Sequence, residues 1–87
     1  MKVKILSSFS MKLADQVEYI AFDKPLAARK FKEDILKLLK EIPTNPFSFR
    51  KSIYFDDANI REVIFKGYKI VFRITEDSIE VFGFIKQ

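Results

Sequence analysis

The sequence predicts an α+β domain of order β-α-α-β-β-β, in which an antiparallel helical hairpin packs on an antiparallel sheet. Three observations predict it. From Ile60 to Ile85 apolar and polar residues alternate, with tight turns at Lys66-Gly67 and Glu76-Asp77. From Leu13 to Ile42 the apolar spacing changes to three and four residues, interrupted once at Asp23-Lys24-Pro25. Lys2 to Leu6 alternates lysine with Val3 and Ile5, the pattern of a short strand with one wet face.

The carboxyl-terminal third reads as a three-stranded meander. Tyr68, Ile70, Phe72 and Ile74 share one face of a strand, and Lys69, Val71 and Arg73 share the other. Ile79, Val81, Gly83 and Ile85 repeat the apolar pattern on the next strand. A two-residue loop at Glu76-Asp77 sets Ile74 opposite Ile79, Phe72 opposite Val81 and Arg73 opposite Glu80. Gly67 supplies the positive φ of a short hairpin turn, which sets Phe65 beside Tyr68 and Val63 beside Ile70. This register places Lys69, Arg73 and Lys86 on the face away from the core, interleaved with Val71, Phe82 and Phe84.

The helices follow from caps and breakers. Ser8 and Ser10 are both suited to cap a first helix carrying Leu13, Val17, Ile20 and Ala21. Proline is tolerated in the first turn, so a second helix begins at Pro25 and runs to Glu41 or Ile42, where Pro43 and Pro46 stop it. Its apolar stripe is Ala27, Ala28, Phe31, Ile35, Leu38, Leu39 and Ile42. The short link folds the two helices back as a hairpin. Burying Phe31, Ile35, Leu38 and Leu39 against Ile70, Phe72 and Val81 contributes roughly 1.5–3 kcal/mol per large side chain before conformational entropy is subtracted. Thr44 to Asn59 reads as a loop with a short extended piece at Ile53-Tyr54-Phe55.

Composition excludes several chemistries. The 87 residues make one domain, 1–87, and a chain of this size buries only somewhat over ~60% of its unfolded surface. There is no cysteine and no histidine, which removes disulfides, thiolate nucleophiles, imidazole bases and histidine-containing zinc sites. The acidic pair Asp56-Asp57 has no further acidic neighbours, so no metal site is expected, and no cofactor is implied. The amino terminus is too short in apolar residues for a signal peptide and no segment is long enough to span a bilayer, so a cytoplasmic protein without membrane contact is expected. The net charge of +4 attracts nucleic acid or an acidic partner without choosing between them.

Tyr19-Ile20-Ala21, Pro25-x-Ala27-Ala28-x-x-Phe31, Ile42-Pro43, and above all Ile60-Arg61 followed by Gly67-Tyr68-Lys69-Ile70-Val71-Phe72-Arg73-Ile74 stand in one order across nearly the whole chain. In that order and spacing the chain resembles the RelE/ParE superfamily of toxins from bacterial type II toxin–antitoxin modules. The resemblance implies a small basic growth-inhibiting protein, of the kind that serves plasmid stabilization, masked by the tail of a cognate antitoxin. RelE-type members cleave mRNA on the ribosome, whereas ParE-like members are associated with poisoning of DNA gyrase. Arg61, seven residues before Tyr68, matches the ParE-like pattern. The position four before Tyr68, where a RelE-type ribonuclease carries arginine, is Ile64. Many relatives continue past the last strand with histidine or arginine, and here only Lys86 and Gln87 follow Ile85. The resemblance therefore favours a ParE-like toxin acting on a protein such as gyrase. The alternatives are a RelE-type endonuclease and an inactive toxin fold that only binds an antitoxin.

Candidate site residues each carry a second reading. Arg50, Lys51, Arg61, Lys69, Arg73 and Lys86 are the cations expected to hold a target or RNA phosphates, with Arg61, Arg73 and Lys86 as candidate catalytic groups. Arg61 could equally pair with Glu62, Asp57 or Asp56, and Arg50-Lys51 could be a solvated loop. Tyr68 is assigned to the core. Val71, Phe82 and Phe84 are the candidate antitoxin contacts, unless the loop around Phe47, Phe49 and Phe55 folds over that face. Lys30, Lys37 and Lys40 form a basic stripe broken by Glu33, Asp34 and Glu41, best read as a solvated helix face.

Overall fold

A computed structural model describes all residues, 1–87. The chain runs β1 (Lys2–Ile5), α1 (Ser7–Asp23), α2 (Pro25–Glu41), β2 (Arg50–Lys51), β3 (Ile60–Phe65), β4 (Tyr68–Ile74) and β5 (Ser78–Lys86). The sheet has five strands in the order β1-β5-β4-β3-β2. All neighbours are antiparallel except β1, which lies parallel to β5. The sheet is thus mixed rather than purely antiparallel. The direction of an isolated first strand depends on how the hairpin returns the chain, which residue alternation does not encode.

The meander follows the expected register at both turns. Phe65 pairs with Tyr68 and Val63 with Ile70 across a turn in which Lys66 (φ 52) and Gly67 (φ 84) are both left-handed. At the second turn Ile74 pairs with Ile79, Phe72 with Val81 and Arg73 with Glu80. The Thr75 backbone N–H donates to the Ser78 carbonyl at 2.8 Å, and the Thr75 hydroxyl accepts from the Ser78 N–H at 3.0 Å. That hydroxyl does the work of a ladder carbonyl and closes the loop at two residues.

Beyond Val81 the alternation breaks. Phe72 pairs with Val81 but Val71 pairs with Gly83, so Phe82 is an extra, bulged residue on β5. Past the bulge every side chain changes face. Phe84, expected on the outer face, is buried in the core, where it stacks on Tyr68 at 4.8 Å and meets Phe9 edge-on at 5.4 Å. Gly83 and Ile85 turn outward instead. Ser8 explains how the bulge is held: its hydroxyl donates to the Phe82 carbonyl at 2.9 Å. That contact also removes Ser8 as a cap, and Ser10 bonds the Ser7 carbonyl at 3.3 Å. α1 starts two to four residues earlier than those caps would set, after an extended Leu6, with no side-chain cap.

The helical hairpin covers one sheet face. Phe9, Leu13, Ala28, Phe31, Ile35, Leu39 and Ile42 are buried, against Tyr68, Ile70, Phe72, Ile74, Ile79, Val81 and Phe84. Leu38 is half-buried and Ala27 faces solvent, so the α2 stripe is narrower than expected. Phe9, absent from the expected stripe, is fully buried. Pro25 occupies the first turn of α2, and a short 3-10 turn at Ile42–Thr44 ends it. Ile53 to Phe55 is not a strand; the extended piece lies at Arg50–Lys51, where it pairs with Arg61 and Glu62.

Candidate functional site

The face away from the helices is closed by the segment following β2. On this face β3 presents Ile60, Glu62 and Ile64, because strand neighbours two apart share a side. β4 presents Lys69, Val71 and Arg73, and β2 presents Arg50 opposite Glu62. Glu62 is only 1% exposed and lies at the centre. Its Oε2 accepts from Arg50 Nε at 2.9 Å, Arg50 Nη2 lies 2.7 Å from the same oxygen, and Lys69 Nζ stands 3.5 Å away. Lys69, 3% exposed, lies 4.7 Å from the Tyr54 ring centroid with its Nζ 3.4 Å from the Tyr54 hydroxyl.

Burial alone would raise the Glu62 carboxyl. The Arg50 hydrogen bond, the Ser52 hydroxyl and the Lys69 and Arg50 charges outweigh it, and the carboxyl is held below its ordinary value. Oε1 of Glu62 has no hydrogen-bond partner. One carboxylate thus serves two cations and anchors the covering segment. Ser52 is buried, its hydroxyl accepting from the Tyr54 N–H at 3.2 Å, and Phe55 packs edge-on against Phe82 at 5.7 Å.

Arg61 has a different task. Its partner Phe72 places it on the helix-facing side. There Nε donates to the Ala58 carbonyl at 2.8 Å and Nη1 to those of Phe49 at 3.0 Å and Phe47 at 3.3 Å. The guanidinium centre lies 5.0 Å from the Phe47 ring centroid. Arg61 therefore pairs with none of Glu62, Asp57 and Asp56; it staples both ends of the connection between α2 and β3 through backbone oxygens.

The six expected cations do not converge. Arg50, Lys69 and Arg73 share the loop-covered face, with Arg73 3.4 Å from Glu80 and 5.4 Å from the Phe82 ring centroid. Lys51 pairs with Arg61 on the other side and lies 3.6 Å from Asp56. The bulge carries Lys86 to the helix-facing side, opposite Tyr68, in a shallow groove with Lys12, Asp15 and Tyr19. Of the expected antitoxin contacts, Val71 and Phe84 are buried and only Phe82 is partly open. Phe55 does fold over this face, whereas Phe49 packs on the core side against Phe72 at 5.6 Å and Phe47 remains exposed. Glu62 and Tyr54 were not expected here. The available signal was a glutamate sharing a strand face with Ile60 and Ile64, a position that water does not reach.

Burial also pushes the Tyr68 phenol up, with a smaller contribution from Tyr19. No group of three or more acidic side chains is placed to hold a metal ion. An apolar groove lies between β1 and the hairpin, lined by Ile5, Phe9, Leu13, Val17 and Leu36, with Lys32 at its rim.

The family model described as the ParE toxin of the type II toxin-antitoxin system parDE matches residues 3–87. Among solved structures, the chromosomal ParDE toxin–antitoxin system from P. aeruginosa contains a similar chain, at a TM-score of 0.81 and 15% identity, over 99% of this chain and 95% of that one. Curated protein sequences give no significant match.

Proposed function

The chain belongs to the ParE toxin family of type II toxin–antitoxin systems, and from that premise we propose that it arrests growth by contact with a protein target, DNA gyrase being the expected one, and not by cleaving RNA. It is the toxin of such a module and has a cognate antitoxin as partner. One observation carries the choice of mechanism. Most of the cations that a ribonuclease centre would need are committed elsewhere, Arg50 and Lys69 to the buried Glu62, Arg61 to three backbone carbonyls and Arg73 to Glu80, and Lys86 stands apart from them on the helix-facing side. RNA cleavage by attack of a 2′-hydroxyl needs a base within reach of that hydroxyl and a cation on the scissile phosphate. Glu62, the carboxylate nearest Arg50 and Lys69, is buried and held ionised by them.

The antitoxin is assigned to the apolar groove between β1 and the hairpin. A helix laying Leu- or Ile-type anchors into it would cover Ile5, Leu13 and Val17, with Lys32 and Glu18 as the charged groups lining the groove. No helix of the chain is long and apolar enough to cross a membrane, and we place its action in the cytoplasm.

Inducible expression of the chain in a bacterium, following growth, mRNA integrity and the DNA-damage response together, tests the reading. Arrest with intact mRNA, an induced damage response and inhibition of purified gyrase is expected. Codon-positioned mRNA cleavage would overturn it in favour of an endonuclease, and unimpeded growth in favour of an inactive fold.

A further inference from the structure

On the flank of α1 opposite the apolar groove, the bulge of β5 completes a second groove, and this one is polar. Lys12, Asp15, Gln16 and Tyr19 stand at i, i+3, i+4 and i+7, one face of a helix, and line it from α1. Tyr68, Phe84 and Lys86 line it from the sheet. Tyr68 and Lys86 are direct partners across β4 and β5. Without the extra residue at Phe82, Phe84 and Lys86 would face the other side of the sheet. The Tyr68 ring is fixed by its stack on Phe84 and by Phe31, which it meets edge-on at 5.3 Å. Tyr68 is only 8% exposed, yet its hydroxyl has no hydrogen-bond partner in the chain. A phenol so placed gives up much of its water and gains nothing in return. Burial and, second to it, Tyr19 push this phenol up, so it stays protonated and is a donor at the groove. Neither Lys12 nor Lys86 forms an ion pair within the chain.

We propose that this groove binds the phosphodiester of a single-stranded nucleic acid, with Tyr68, Lys12 and Lys86 on the phosphate oxygens and Tyr19 beneath the adjoining base. The donors suit an oxyanion, because two ammonium groups, two phenol hydroxyls and the Gln16 amide line one groove and only Asp15 opposes them. Asp15 selects among oxyanions. Two lysines and one aspartate leave the lining at +1, which matches the single charge of a phosphodiester and disfavours the second charge of a monoester or of free phosphate. Tyr19 is 73% exposed. An exposed ring beside a phosphate site is a platform on which any base can stack, provided that the base is free of a duplex. The net charge of +4 draws such a strand in. The site lies apart from the antitoxin groove and does not depend on which protein is the target.

Fluorescence anisotropy of a labelled single-stranded DNA oligonucleotide, which carries no 2′-hydroxyl to react, titrated with the whole chain at low salt, tests it. Saturable binding is expected, with inorganic phosphate a far weaker competitor than unlabelled strand. Tyr68→Phe keeps the ring and its packing and removes the hydroxyl alone. It should weaken binding about tenfold without lowering the urea midpoint, since the hydroxyl bonds nothing in the chain. Lys12→Gln and Lys86→Gln should each reduce the slope of log K against log salt by about 0.7, and Lys37→Gln, on the solvated face of α2, should leave it unchanged. Asp15→Asn should strengthen competition by inorganic phosphate more than binding of the strand. No binding, binding indifferent to Tyr68→Phe, a Tyr68→Phe loss that follows a lowered urea midpoint, an equal change of slope in Lys37→Gln, or inorganic phosphate competing as well as the strand would each overturn the proposal.

Discussion

The two faces of the sheet are held by opposite means. Against the helices, Ile70, Phe72, Ile79 and Val81 are sealed by Phe9, Ile35 and Leu39 with no charged group among them. Against the covering segment, Val71 and Ile60 are sealed too, but around Glu62 and Lys69. An apolar face gains stability from every methylene it hides. A charged face gains only while its pairs stay complete, so the same degree of burial carries different vulnerabilities.

Truncation on the helix side should have the largest effect. Phe72 is fully buried and meets Phe49 at 5.6 Å. Phe72→Ala is expected to cost about 3–5 kcal/mol, a third or more of the roughly 5–10 kcal/mol available to so small a domain. Urea unfolding should show a large drop in midpoint or no cooperative transition.

On the charged side, Glu62→Gln keeps the shape but leaves Lys69 buried without a counter-charge, at an expected cost of about 3 kcal/mol. Replacing both, as Glu62→Leu with Lys69→Met, should recover most of that loss, because two absent charges need no partners. Denaturant titration checks both. The pH dependence follows with its sign. The folded Glu62 carboxyl lies below its ordinary 4.5, so its contribution is complete above that value and is lost as pH falls through the lower folded value. Between neutral pH and pH values below 4.5, the parent chain should lose more stability than Glu62→Gln. Equal slopes would show that the cluster does not hold the segment.

These two sides were not equally legible in the sequence. Tyr68, Ile70, Phe72 and Ile74 announce their face by strict alternation, and the turns announce themselves by Lys66-Gly67 and Glu76-Asp77, so meander and hairpin could be read directly. Alternation assumes unbroken pairing. A bulge at Phe82 leaves no mark in polarity, since Phe82, Gly83, Phe84 and Ile85 are all apolar, and Phe84 and Lys86 were therefore assigned to the wrong face. The cations were legible as cations but not by partner. Arg61 bonds backbone oxygens that any residue could provide, and Glu62 finds Arg50 across a strand pair only two residues long.

The bulge gives the next prediction. A Cβ built on Gly83 would lie 2.8 Å from Val71 Cβ and 3.1 Å from its Cγ2. Val71 sits in the middle of a paired strand and cannot yield, so Gly83→Ala is expected to cost about 1–3 kcal/mol. Val71→Ala should not rescue it, because the nearer clashing atom is the Cβ that alanine keeps. Thermal unfolding of the two single variants and the double would show this, and a double variant more stable than Gly83→Ala would place the strain elsewhere.

The smallest effect should come from the charge pair that most resembles the Glu62 cluster in chemistry and least in setting. Asp34 on α2 accepts from Lys66 of the β3–β4 turn at 2.7 Å and from Lys30 at 3.4 Å. The Lys66 hydrogen bond is the main cause holding its carboxyl below the ordinary 3.8, against a weaker opposing desolvation. Water reaches this group, so solvent screens what the lysines gain. Asp34→Asn should shift the unfolding midpoint slightly at low ionic strength and not at all in molar salt, whereas the loss in Glu62→Gln should persist in molar salt because ions do not enter its site. The salt response thus separates the two carboxylates, though both stand beside two cations: burial, not pairing, decides which of them supports the fold.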